Sequence, residues 1–87
     1  MEESLLLTVE RTGQAGNDLL IFPGLPSDKH KFNDIERIKI VTPDNMVIEK
    51  DAEFSIPFDI PSHEYWMLIP NTQKDEVPIG STIWIYK

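Results

Sequence analysis

The chain has no cysteine. Neither a disulfide framework nor a thiolate metal site is therefore available, and a domain this small must be held by packing alone. It also lacks any run near the roughly 18 apolar residues that a membrane-spanning helix needs. The first apolar run, Leu5-Leu6-Leu7, stops at Thr8, and the residues before it are acidic where a secretory leader would be basic. These absences set the expectation of a cytoplasmic chain with no membrane contact. Basic residues are scarce as well: 8 Lys and Arg stand against 15 Asp and Glu, a net charge of −7. Nucleic-acid affinity rests on cations that displace counterions, so this balance disfavours phosphate partners. The acid excess is concentrated in Asp51, Glu53, Asp59, Glu64, Asp75 and Glu76, with Lys74 alone opposing them, whereas residues 28–39 are nearly balanced.

Catalytic and metal sets are also lacking. Ser62-His63-Glu64 holds the residue types of a hydrolytic triad, but adjacent residues diverge and cannot by themselves form the nucleophile, base and orienter line. His30 and His63 lie 33 positions apart, without the spacing of zinc ligands. Gly13-Gln14-Ala15-Gly16 has the spacing of a nucleotide-clamping loop between helices, yet here it falls between strand-like segments, where a hairpin turn accounts for it. Asp51, Glu53 and Asp59 lack the dense Asp/Asn/Gly loop of a calcium site and read as a solvated strand face. The expectation is a chain that is not an enzyme and has no cofactor or metal. A small enzyme whose site is assembled from distant residues stands as a third alternative.

What is present is a strand rhythm. Seven prolines and four glycines punctuate apolar runs of about five residues within 87, and the whole chain, residues 1–87, reads as a single all-β domain. Leu5 to Glu10 alternate, residues 13–18 form a turn, and Leu19-Leu20-Ile21-Phe22 return, a pattern that suggests a hairpin. Pro43-Asp44-Asn45 has the composition of a type I turn between Ile35–Ile40 and Met46–Ile48. Between Ser27 and Arg37 a helical turn capped by Asp34 is the only helical option. Phe54, Ile56, Phe58 and Ile60 alternate with Ser55, Pro57, Asp59 and Pro61, and the two prolines lose donors on one side, so the segment belongs at a sheet edge or ends at Pro57. The expected architecture is a small antiparallel β-barrel of about six strands, with Leu5, Leu7, Ile38, Ile40, Phe54, Ile56 and Leu68 in its core.

Two strands are apolar on both faces. Ile83 and Ile85 oppose Trp84 and Tyr86, and Tyr65, Met67 and Ile69 oppose Trp66 and Leu68, although a small barrel buries one face only. With Leu68, Ile83 and Ile85 lining the interior, Trp66, Trp84 and Tyr86 become an outer aromatic surface for a protein partner. The competing account has the Pro23–Asn33 loop fold over that surface with Leu25 and Phe32, or leaves it as scattered apolar area.

The run from Tyr65 to Ile83, a leucine-bearing strand, a charged turn ending on Gly80 and a last strand, resembles the end of the second domain of elongation factor Tu-type translation GTPases. Leu5-Leu6-Leu7-Thr8-Val9-Glu10 is similar to the first strand of that barrel, and Asn33 to Ile40 to its "G-D-x-V-x-I" strand. The resemblance implies a six-stranded barrel. It also supplies the alternative function, a translation-related RNA- or tRNA-binding barrel with Arg11, Lys29, Lys31, Arg37 and Lys39 as phosphate contacts. This chain departs from the family in its turn at residues 13–18, in Pro70 where an arginine would help hold tRNA, and in the absence of a phosphate-binding loop.

Overall fold

The computed structural model describes residues 2–56 and 63–86. It is all-β. Seven strands, β1 (Glu3–Thr8), β2 (Arg11–Ala15), β3 (Asp18–Pro26), β4 (Ile35–Val41), β5 (Val47–Ser55), β6 (Glu64–Ile69) and β7 (Thr82–Tyr86), form one antiparallel sheet in the order β1-β7-β4-β5-β6-β3-β2. The sheet curls until its two ends meet in the chain itself. Val9 N–H donates to the Ser81 carbonyl, on the β7 side, and the next residue, Glu10, donates to the Phe22 carbonyl on β3. β1 and β2 are thus successive parts of one bent segment, which brings seven strands close to the six-stranded barrel expected.

Alternation places the core. Leu19, Ile21, Ile38, Ile40, Ala52, Phe54, Met67, Ile69, Ile83 and Ile85 all turn inward and are buried. Every second residue of a strand shares a face, so Met67 and Ile69 line the interior, and Leu68 faces out with Trp66. This corrects the expectation for Leu68. Leu5 is corrected too, being 51% exposed. Its partner is Trp84 while that of Leu7 is Ile83, so two steps on β1 match one on β7. The bulge at Leu6 reverses the side of every residue before it. Ile56, beyond the end of β5, is 46% exposed rather than buried.

The expected hairpin forms with a different first arm. β3 pairs with β2, not β1, through Ala15↔Asp18, leaving a two-residue turn, Gly16-Asn17. Gly16 takes φ +64, a first-turn position that glycine adopts without a Cβ clash. Pro43-Asp44-Asn45 does make the turn between β4 and β5: Asn45 N–H donates to the Thr42 carbonyl at 2.9 Å, and Met46 N–H to Thr42 Oγ1 at 3.0 Å. Between Ser27 and Arg37 no helix forms: residues 27–29 make a turn in which Lys29 N–H donates to the Pro26 carbonyl at 3.3 Å, and the helical piece among the described residues is a 3₁₀ turn, Lys74–Glu76. Pro57, Phe58, Ile60 and Pro61, on which the edge argument turns, lie outside the described residues.

The loop between β6 and β7 is tied back to the β2–β3 turn. Gln14 Nε2 donates to the carbonyls of Gly16, Asp18 and Thr72, and Gln14 Oε1 accepts from Lys74 N–H. Buried Thr72 and Ser81 are satisfied by the carbonyls of Pro70 and Pro78.

Candidate functional site

The outer face follows from the same alternation that builds the core. Across the sheet, Ile35 of β4 sits beside Glu53 of β5, Glu53 beside Leu68 of β6, and Leu68 beside Leu20 of β3. The next row runs from Ser55 to Trp66. Trp66 meets Phe22 edge-on at 5.9 Å, and the Arg11 guanidinium lies over Phe22 at 4.6 Å. Leu20, Phe22, Trp66 and Leu68 are half-buried, held by one another, while Ile35 is 61% exposed. The described elements that pack on β6 are its sheet neighbours β3 and β5. An apolar and aromatic surface therefore extends over β3 and β6 toward β4.

Trp84 and Tyr86 form a second cluster. Trp84 lies between Leu5 of β1 and Lys39 of β4, whose ammonium stands 5.5 Å from the indole ring. Lys39 also pairs with Glu3, so an ion pair roofs this cluster. The indole N–H donates to Thr82 Oγ1 of its own strand at 2.9 Å. Burial first, then a hydrogen bond to Glu49, raises the Tyr86 phenol above its ordinary pKa. β4 and β5 separate these two aromatics from Trp66. Three strand spacings of about 4.8 Å place the groups some 14 Å apart along the sheet. The structure thus brings Trp84 and Tyr86 together and sets Trp66 apart from them.

The Pro23–Asn33 loop covers neither cluster with the residues expected. Leu25 is buried on β3, and Phe32 stacks on Phe54 at 4.2 Å and edge-on against Tyr65 at 4.9 Å, closing the interior. Leu20 and Phe22 are the outer-face residues that sequence reasoning passed over. The signal was available, because Leu19-Leu20-Ile21-Phe22 is apolar on both faces in the same way as Ile83-Trp84-Ile85-Tyr86.

A trough crosses this surface. β5 pairs with β6 only at Glu53, Phe54 and Ser55, so toward Lys50 the two strands part. A cleft of about 420 Å³ opens there among Ile35, Lys50, Asp51, Glu53, Pro70 and Asn71. It shares Ile35 and Glu53 with a second cleft of about 430 Å³ that runs along Asp34, Ser55 and Leu68. Lys50 spans the parting, with Nζ 3.5 Å from the Asn71 carbonyl and 3.5 Å from Glu76. Asp51 is paired with Arg37 at 3.2 Å, whereas Asp34 and Glu53 take part in no ion pair among the described residues. His30 stacks on Phe32, and no group of three or more His, Cys, Asp or Glu able to hold a metal is found among the described residues. No described helix is long and apolar enough to cross a membrane. No protein-family model, curated protein or solved structure matches the chain, and none of these comparisons identifies the elongation-factor relationship that its closing strands suggest.

Proposed function

We propose that this chain is a noncatalytic β-barrel interaction module that binds another protein through its outer face. The observation that carries the reading is the continuous surface of Leu20, Phe22, Trp66 and Leu68, turned away from a core that is already filled by Leu19, Ile21, Met67 and Ile69. Large aromatics are enriched among the residues that dominate protein interfaces, and a contiguous apolar patch on a small domain marks a contact surface. Trp84 and Tyr86 provide a second, smaller contact area beside Leu5. The net charge of −7 favours a basic partner.

The test is affinity capture and chemical cross-linking from extract of the source cells, followed by size-exclusion chromatography of the complex. A partner held by the native chain should be lost from Trp66→Ser and from Phe22→Ser, with the β-sheet circular dichroism signal intact. A partner retained by both, and by a Trp84→Ser, Tyr86→Ser double variant, would refute the assignment.

The second reading is a translation-related RNA- or tRNA-binding barrel. It draws on Lys29 and Lys31, which join no ion pair among the described residues and alternate along the chain with the stacked His30 and Phe32. It ranks second because Arg37 and Lys39 are paired with Asp51, Glu49 and Glu3, and so have few charges left for phosphate. Titration with tRNA and single-stranded RNA at increasing salt decides it, since a phosphate-led mode weakens steeply as salt rises.

A further inference from the structure

The trough over β5 combines two properties that few ligands satisfy together. Its walls are apolar at Ile35, Leu68 and Pro70, and its acids Asp34 and Glu53 join no ion pair among the described residues, the lysine that lines the same cleft, Lys50, being paired with Glu76. An apolar segment would leave those carboxylates facing hydrocarbon. An acidic one would be repelled, and so would a second copy of a chain with net charge −7. Arginine and lysine meet both demands, because each carries a methylene stem that packs on apolar surface and a charged head that reaches beyond it. The parting of β5 from β6 supplies the length: the two clefts join at Ile35 and Glu53, giving room for several consecutive side chains.

We infer that the trough is the docking site for an extended, arginine- or lysine-rich segment of a partner protein, with stems along Ile35, Leu68 and Pro70 and cationic heads at Asp34 and Glu53. The inference rests on reading the outer face as a partner surface and names the chemistry of that partner. It separates the trough from the Trp84 cluster, where the carboxylate of Glu3 is already paired with Lys39 above the ring.

Calorimetric titration of the full chain with short synthetic peptides tests it. The probes are an eight-residue peptide alternating arginine and glycine, the same peptide with diaminobutyric acid in place of arginine, and a glutamate version. The arginine peptide should bind, the glutamate peptide should not, and the short-stemmed cation should bind more weakly at equal charge. Removing the two exposed carboxylates by Glu53→Gln with Asp34→Asn should weaken the arginine peptide about three- to thirtyfold. Glu2→Gln with Asp28→Asn removes the same charge elsewhere and should change affinity less than about twofold. Phe22→Ser, which tests the aromatic surface, should leave the peptide bound, so the trough and that surface fail separately. Equal weakening by both double variants would show diffuse charge attraction and overturn the inference. So would equal affinity for the short-stemmed peptide, or no binding at low salt.

Discussion

Replacing Gln14 by Ala should cost more than its exposed position on β2 suggests. The amide makes four hydrogen bonds, at 3.0 to 3.1 Å, to Gly16, Asp18, Thr72 and Lys74. Three of these are with exposed backbone groups, which water can satisfy after the side chain is gone, so their net loss is small. The fourth decides the outcome. Thr72 is fully buried, and its carbonyl would lose its partner, a penalty of about 1–3 kcal/mol. A domain of 87 residues has about 4–13 kcal/mol in all, so the loss is a large share of the total. It corresponds to a fall in melting temperature of about 4–20 °C. Thermal and urea unfolding measure the loss, and amide exchange at Thr72 and Lys74 locates it in the β6–β7 loop. Gln14→Glu is the control: it keeps the acceptor for Lys74 but sets a carboxylate against three carbonyls. It should be at least as destabilising at neutral pH, and partly restored in acid when the protonated group can donate. A melting temperature within about 2 °C of the native value for Gln14→Ala would refute the reasoning, since it corresponds to under about half a kcal/mol.

Met67→Ser, on the inner face, should destabilise by about 2–5 kcal/mol, while Trp66→Ser next to it keeps the sheet folded; equal losses by urea unfolding would contradict the assignment of faces. The Glu76 carboxyl is held below the ordinary glutamate range by the Gln73 N–H from which it accepts at 2.8 Å, an effect that burial opposes and that Lys50 assists. A depressed carboxyl stabilises above its unfolded pKa and loses that contribution as pH falls through its folded value. Protection of the amides of residues 73–77, measured against their intrinsic exchange at each pH, should therefore fall in acid below the ordinary glutamate range, and Glu76→Gln should abolish that fall. Substituting Gly80, at φ +95, by Val should destabilise by at least about 1 kcal/mol in thermal unfolding, because a β-branched residue is strained there. Lys39→Ala uncovers Trp84, and an aqueous quencher should reduce the tryptophan fluorescence more strongly than in the native chain.

Much of the barrel is legible in local pattern. Ile38 with Ile40 and Ile83 with Ile85 are buried as period-two alternation requires, and Thr42 to Met46 close a turn for which Pro43 and Asn45 are suited by their own backbone preferences. The same period puts Trp66 and Leu68 on one face, so the expectation of Leu68 inside and Trp66 outside could not hold, and the burial of Met67 and Ile69 decides that their face is the outer one. β2 is different: Arg11-Thr12-Gly13-Gln14-Ala15 carries no apolar alternation, and it is extended because β3 lies beside it.

The sequence by itself determined that this chain is all-β, that β4 is apolar at Ile38 and Ile40 while β6 and β7 are apolar on both faces, and that its net charge is acidic. These depend on residue type and on spacing of two along one strand. Only the tertiary structure decided that β1 pairs with β7 and bulges at Leu6, turning Leu5 outward. It alone decided that Trp66 joins Phe22 rather than Trp84, and that β5 and β6 part to open a trough beside Glu53. Strand order, bulges and partings come from contacts between residues far apart in the chain, and no local periodicity encodes them.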